Sequence, residues 1–441
     1  MQHHQYIHRV VNLLDPTANV LLNVDYDTAE SYVRSGDAKQ VEKIDGQFAI
    51  LAQVDKKVRM ARSIGRPMRY FLAKRAEGPA LFVAESMHEL KDALANEGLA
   101  DQFHPSYTRM IPAHHLVELE LLGCPDPNPH YHRFFTPERN TLPNDLDLIG
   151  RAYIGGLTRA IDHWLDTIPR SEPLGVLFSG GIDSGAVLIT LNDVLLKRGE
   201  SPARLKAFTL RVDHNAADAD QALQFVEQTN LAALLEIIDV DLSDLDWRET
   251  VRTIEDYKPL DVQSGTMAMA LCQKIRHQYP DWKYLIDGDG GDENLKDYPI
   301  EENPELTIRS VLSNLMLYQE GWGVHAIKHS LTHSGGQSRG HIRTSAPARK
   351  FGFEGFSPFS IPSVIEAAEG IPFIQLTDWD HEKLYALKGE VVRRGVQQMT
   401  GVEMPIFEKR RFQHGAISKT RFAEVFPTEE LDYRTEFLAS W

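Results

Sequence analysis

The chain has 441 residues, with 47 basic and 63 acidic side chains and a formal net charge of -16. That length exceeds what one hydrophobic core usually fills, so two or three domains are expected. With 42% hydrophobic and 25% charged residues the chain is globular, neither fibrous nor disordered. Its acidity argues against a nucleic-acid binder, which needs a basic surface. Two cysteines, Cys124 and Cys272, exclude a disulfide framework and any four-cysteine metal site. No basic segment followed by an apolar one opens the sequence and no run of ~18 apolar residues occurs, so neither a secretion signal nor a membrane span is expected and a cytoplasmic setting fits.

In chain order, residues 1–123 carry short apolar or alternating runs (20–24, 48–52, 70–73 and 116–121) broken by turns, which predicts a strand-rich α+β domain. A proline-dense connector follows over 124–145, where no regular structure is expected. From 146 to 441 the pattern changes. Apolar runs at 174–178, 205–212, 234–240 and 284–286 read as strands, and helical spacing marks 184–196, 218–228 and 266–277. This alternation predicts an α/β domain, a parallel sheet with helices on both faces. Beyond about residue 304 the chain reads as mainly helical, with a glycine- and serine-rich loop over 334–338.

Two segments carry chemistry. Ser179-Gly180-Gly181-Ile182-Asp183-Ser184 stands directly after one strand and before a helix. Its glycines let backbone N–H groups approach an anion, its serines add hydroxyl donors, and the helix N-terminus favours negative charge. Together these make a pyrophosphate cradle; the competing reading is a plain strand-to-helix turn. The lysine-bearing G-x-x-x-x-G-K-[ST] spacing is absent. Asp287-Gly288-Asp289-Gly290-Gly291-Asp292-Glu293 follows the strand at 284–286, at the end of the sheet where open α/β folds gather ligands. Hard carboxylate oxygens suit Mg²⁺, which takes one or two protein carboxylates plus substrate phosphates, and Asp183 and Asp292 are the candidates. Alone, an acidic loop of this kind is more often a solvated turn or a calcium loop; its pairing with Ser179 to Ser184 favours the cation reading. His3, His4, His8, His114, His115, His130 and His132 lie beside no cysteine and at no zinc-ligand spacing, and read as surface histidines.

The S-G-G-x-D-S segment is the hallmark of the PP-loop ATP pyrophosphatases. Followed by G-x-G-x-D-E after a later strand, it resembles the asparagine synthetase group with its relatives, the β-lactam and carbapenam synthetases. Further segments agree. Glu255-Asp256-Tyr257-Lys258-Pro259-Leu260-Asp261 is similar to the family's acidic-proline segment, and Lys388-Gly389-Glu390-Val391-Val392-Arg393 to its K-x-x-L-R helix. Glu354-Gly355-Phe356-Ser357-Pro358-Phe359 is similar to E-x-R-x-P-F-L-D, with Phe356 and Ile361 replacing the arginine and last aspartate. Residues 408–415 resemble K-x-x-F-x-x-G. Before residue 100, Ile44-Asp45-Gly46-Gln47-Phe48-Ala49 is similar to L-x-G-x-F-A, 61–67 to A-R-D-x-x-G-x-x-P and 82–86 to F-A-S-E. The resemblance covers nearly the whole chain and implies a PP-loop synthetase domain behind a degenerate, class II glutamine amidotransferase-like domain of the Ntn type.

One departure bears on mechanism. Such a glutaminase uses an N-terminal cysteine whose α-amino group acts as base, whereas position 2 is Gln2, Cys124 lies in the connector and Cys272 in an apolar helix. Glutamine hydrolysis is therefore not expected, as in β-lactam synthetases and lasso-peptide cyclases. The resemblance implies an AMP-forming ligase: ATP adenylates a carboxylate, pyrophosphate leaves, and an amine attacks to release AMP. It implies adenosine on the backbone of Leu177, Phe208, Thr209, Leu210 and Gly288, and phosphates on Ser179, Gly180, Gly181, Asp183, Ser184 and Lys388. Mg²⁺ falls to Asp183 and Asp292, and Lys409 is the catalytic lysine, with Arg410 and Arg411 beside it. Asp289 and Glu354 are candidates to deprotonate or orient the amine; holding an arginine is an equal reading for Glu354, and a solvated surface position a competing one for either lysine. The partners expected are a small-molecule carboxylate and amine, in one molecule or two, with no nucleic acid and no membrane; a homodimer is compatible. Competing readings are ammonia-dependent asparagine synthesis, a tRNA-modifying PP-loop enzyme, disfavoured by the acidity, and an inactive scaffold.

Overall fold

The computed structural model describes residues 5–7, 9–124, 127–213, 217–297, 300, 307–313, 336–407 and 417–441. The described residues divide into two compact units. The first holds the residues up to Thr136 together with 336–338 and Phe437–Trp441, and the second holds the remainder.

In the first unit, alternating side chains build two four-stranded sheets. One runs in the order His130–Arg133, His115–Glu120, Lys57–Arg62, Ala49–Val54 and is antiparallel throughout. The other runs Arg9–Asn12, Ala80–Ala84, Arg69–Ala73, Arg109–Met110, with its first pair parallel. Val58, Met60 and Val117 of one sheet share a buried cluster with Tyr70, Leu81 and Val83 of the other, so the sheets pack face to face. Phe71 and Phe82 point the other way, onto Leu90 and Leu94 of the helix Met87–Asn96. A capping box of Ser86 and Glu89 starts that helix.

Two expectations are corrected here. The segment 124–145 is not free of regular structure: His130–Arg133 contains no proline and pairs with His115–Glu120, Leu116 opposite His132. Nor are all the histidines on the surface. His130 and His132 are exposed, but His114 and His115 are buried, and His115 Nδ1 lies 2.8 Å from the Ala113 carbonyl. His3, His4 and His8 lie outside the described residues.

The second unit is built on five parallel strands, labelled within this unit: β1 (Leu174–Leu177), β2 (Leu205–Val212), β3 (Leu235–Val240), β4 (Tyr284–Ile286) and β5 (Glu354–Phe356). Their order is β3-β2-β1-β4-β5. Leu174, Gly175 and Val176 of β1 and Ala207 to Leu210 of β2 are all buried. Successive strand residues face opposite sides, so both faces of the sheet are covered. The chain leaves β1 to place β2 on one side and returns to place β4 on the other, which makes the C-terminal ends of β1 and β4 a topological switch point, where open α/β sheets form their ligand crevice.

The helices that position the site are α1 (Leu146–Asp166), α2 (Ile182–Lys197), α3 (Pro259–Gln278), α4 (Gly336–Lys350), α5 (Pro362–Glu369) and α6 (His381–Thr400). Helix α3 starts seven residues before its apolar periodicity shows, because Pro259 occupies the first turn, where its missing N–H costs nothing. Ser334 and Gly335 of the expected loop lie outside the described residues, while Gly336 already opens α4. Among the described residues no helix is long and apolar enough to cross a membrane.

Candidate active site

The loop after β1 folds on its own hydroxyls. Ser179 N–H donates to Ser184 Oγ at 3.2 Å, the two hydroxyls are 3.1 Å apart, and Gly181 N–H donates to Ser179 Oγ at 3.3 Å. Thr209 Oγ1 of β2 donates to the Phe178 carbonyl at 2.8 Å and ties the loop to the sheet. Leu177 and Leu210 are regular strand residues, Leu177 opposite Phe208 and Leu210 opposite Ile238. Gly180 takes φ +72°, and Gly181 caps α2 without a side chain. The first-turn N–H groups of α2 are thus left for a ligand to use.

The loop after β4 packs directly on this cradle. A Cβ on Gly288 would lie 2.8 Å from Ser184 N, and one on Gly291 2.3 Å from Asp183 Oδ1. At Gly288 only glycine allows the two backbones so close, and Gly291 leaves room for the Asp183 carboxylate. Asp183 in the first turn of α2 and Asp292 behind Gly291 therefore converge, and both bind one atom: Lys388 Nζ is 2.6 Å from Asp183 Oδ2 and hydrogen-bonded to Asp292 Oδ1. Asp297 Oδ2 is a third neighbour at 3.4 Å. Burial pushes the Lys388 ammonium down, but the charges on Asp183, Asp292 and Asp297 outweigh it and hold it well above the usual lysine value.

Helix α6 delivers Lys388 because it lies unusually close to α1. A Cβ on Gly395 would sit 2.3 Å from the Gly150 carbonyl oxygen, and one on Gly150 2.7 Å from Gly395 N. Tyr153 of α1 is buried beside this cluster and bonded by Asn294 Nδ2 at 3.4 Å. Burial, with the Asp183 charge, raises its hydroxyl far above the usual range, so it stays protonated.

A second group of acids lines the ends of β4 and β5. Asp287 Oδ1 accepts the Asp289 N–H at 2.9 Å. Burial, then the Asp289 charge, raises Asp287 well above the carboxylate range, against a hydrogen bond from Ser357. Ser357 Oγ is in turn 3.0 Å from Nδ1 of buried His341. Asp289 is raised by burial and partly restored by Arg343; Glu293 is pushed up by burial to about 7. The Arg343 guanidinium lies 3.8 Å from both Asp261 Oδ1 and Glu293 Oε1.

The structure thus brings together Ser179, Gly180, Gly181, Asp183, Ser184, Gly288, Asp292 and Lys388, with Asp289 on the same edge. It does not bring Glu354 there. Glu354 begins β5 opposite Tyr284 and pairs with Lys283 at 2.9 Å, three residues before Ser357 and so about 10 Å along a strand from the C-terminal edge. Lys409, Arg410 and Arg411 lie outside the described residues. Phe356 and Ile361, the two departures from E-x-R-x-P-F-L-D, are fully buried, and Phe356 stacks on Trp164 with centroids 4.9 Å apart; the altered positions serve the core. Asp297, Asp287, Ser357, His341 and Arg343 were not singled out from the sequence. Only the D-G-D spacing of Asp287 and Asp289 could have flagged one of them.

Among the described residues no three His, Cys, Asp or Glu side chains form a metal cage. Two carboxylates that reach one ammonium can, however, share one cation, and Mg²⁺ bound with phosphates needs no more from the protein. No curated protein matches the chain. Residues 167–351, which hold both glycine-rich loops, Asp183, Asp289 and Asp292 but neither Glu354 nor Lys388, match the family model described as asparagine synthase, whose chemistry is ATP-dependent amide synthesis on a PP-loop α/β fold.

Proposed function

We propose that the chain is an AMP-forming carbon–nitrogen ligase that adenylates a substrate carboxylate with ATP and passes the acyl group to a free or intramolecular amine, without hydrolysing glutamine. The observation that carries this reading is the convergence of Asp183, Asp292 and Lys388 on the hydroxyl-lined loop at the switch point. Backbone N–H groups of the loop and α2, with Ser179 and Ser184, hold the leaving pyrophosphate, and Lys388 supplies a positive charge to it. Asp183 and Asp292 would hold Mg²⁺, which neutralises triphosphate charge when bound. Asp289, raised by burial, takes the proton of the attacking amine, and Lys409 stabilises charge on the reacting phosphate. The paired sheets of the first unit support reading it as a degenerate Ntn-type domain. Cys272 is buried in α3 with its thiol pushed up to about 12, which makes it a poor nucleophile.

The test is to incubate the chain with Mg–ATP and a panel of amino-carboxylates and to follow pyrophosphate and AMP. Substrate-dependent AMP without glutamine is expected; ADP would overturn the reading, and aspartate with ammonia as sole substrates would move it to asparagine synthesis. Asp183→Asn should cut kcat/KM by roughly 10²–10³ with the fold intact, and Lys409→Ala should do at least as much. In Asp289→Asn the pH–rate profile should lose its dependence on this carboxyl; an unchanged profile removes Asp289 as base.

A further inference from the structure

The Lys388 ammonium donates to Asp183 and Asp292 and has Asp297 as a third carboxylate neighbour at 3.4 Å. The first two are the pair suited to a divalent cation. Asp297 is held apart from that task. Its backbone N–H donates to the Asp292 carbonyl at 2.9 Å, and the preceding Lys296 is locked at 2.5 Å to buried Glu369 of α5. Its side chain is only 10% exposed, against 41% for Asp292. A fixed carboxylate thus stands behind the lysine, and the two with access to solvent stand in front of it.

A divalent cation and this ammonium repel one another on Asp183 and Asp292, where Lys388 already engages one oxygen of each carboxylate. A metal arriving alone would leave Lys388, 3% exposed, with one distant carboxylate, and an under-compensated buried charge is costly. A metal arriving with a polyphosphate brings acceptors of its own for the ammonium. We propose that Lys388 is the resident counter-cation of the Asp183–Asp292 pair, with Asp297 as its positioning residue, so that divalent metal enters only in company with a polyphosphate. Metal and nucleotide then bind with mutual enhancement, each raising the other's affinity by the same factor. The inference rests on the ATP reading of this site.

The experiment is Mn²⁺ titration of the full chain, followed by the electron paramagnetic resonance of free Mn²⁺, with and without an ATP analogue carrying a methylene bridge between the α and β phosphates. After subtraction of the Mn²⁺ that the analogue chelates in a protein-free control, the wild type should bind Mn²⁺ at least about tenfold more tightly with the analogue present. Lys388→Met should gain about tenfold for Mn²⁺ alone, the gain should vanish when Asp183→Asn is added, and Lys383→Met, an exposed charge on the same helix, should gain little. Circular dichroism checks that the variants fold; the wild-type comparison stands if Lys388→Met does not. Equal Mn²⁺ affinity with and without the analogue, or no gain in folded Lys388→Met, overturns the inference while leaving ATP binding intact. Failure to bind the analogue under any condition overturns the ATP reading itself.

Discussion

Lys296 carries a fully buried charge at φ +58°, a backbone conformation that side chains other than glycine rarely take. Burial lowers its ammonium, yet Glu369 Oε1 sits 2.5 Å away, Arg139 Nε holds Glu369 Oε2 at 2.9 Å, and the Phe373 ring lies beneath with its centroid at 4.9 Å. Removing one partner of such a pair strands the other. Glu369→Ala should therefore lose about 3–5 kcal/mol in urea denaturation, whereas an exposed pair such as Lys283–Glu354 should yield under ~1 kcal/mol. His114 makes the converse case. Buried among Phe134, Phe135, His115 and Arg62, it is pushed down to about 3, burial being the main cause. The folded state keeps it neutral while the unfolded chain takes a proton below pH ~6.5, so this residue's contribution is full above that value and declines as pH falls toward 3. From pH 7 to pH 5 the loss is about 2 kcal/mol. Denaturation of His114→Phe at both pH values should show that part of the pH dependence gone.

Among the elements, the α1–α6 crossing decides where Lys388 sits. Gly150 and Gly395 bring two backbones into contact, and Lys388 lies two turns, about 10 Å, along α6 from that contact. Gly395→Val should cost about 1–3 kcal/mol by overpacking and raise KM for ATP more than it lowers kcat, which thermal melts and steady-state kinetics separate. Sequence patterning revealed β1, β2, β3 and β4, because each carries an apolar run: β1, β2 and β4 are largely buried, whereas edge strand β3 is buried only at Ile238 and Val240. It did not reveal β5: Glu354-Gly355-Phe356 has one buried residue of three and no β-branched side chain, and it becomes a strand only because Tyr284–Ile286 offers an edge to pair with. The same pairing removes Glu354 from the site, since its register puts Phe356, not Glu354, beside the end of β4. His130–Arg133 was hidden in the same way, by flanking prolines that mark a break in pattern but leave the four residues between them free to pair.

For the whole molecule, a net charge of -16 and a site rich in carboxylates look ill suited to ATP. The second unit answers this locally: Lys388 covers Asp183 and Asp292, Arg343 lies among Asp261, Asp289 and Glu293, and burial favours the neutral acid of Asp287. On the nitrogen side, the purified chain should release no glutamate from glutamine, and AMP formation with an amine acceptor should be unchanged by added glutamine; enzymatic glutamate assay reads both. The sequence by itself determined the two loops, their order, their place at strand ends and hence the switch-point crevice, because glycine pairs, hydroxyls and carboxylates next to apolar strands are local features. Only tertiary structure decided which carboxylates meet which cations. Asp183, Asp292, Asp297 and Lys388 come from segments up to 205 residues apart, and their meeting depends on strand order, on two glycine contacts and on one helix crossing, none of which leaves a periodic mark in the chain.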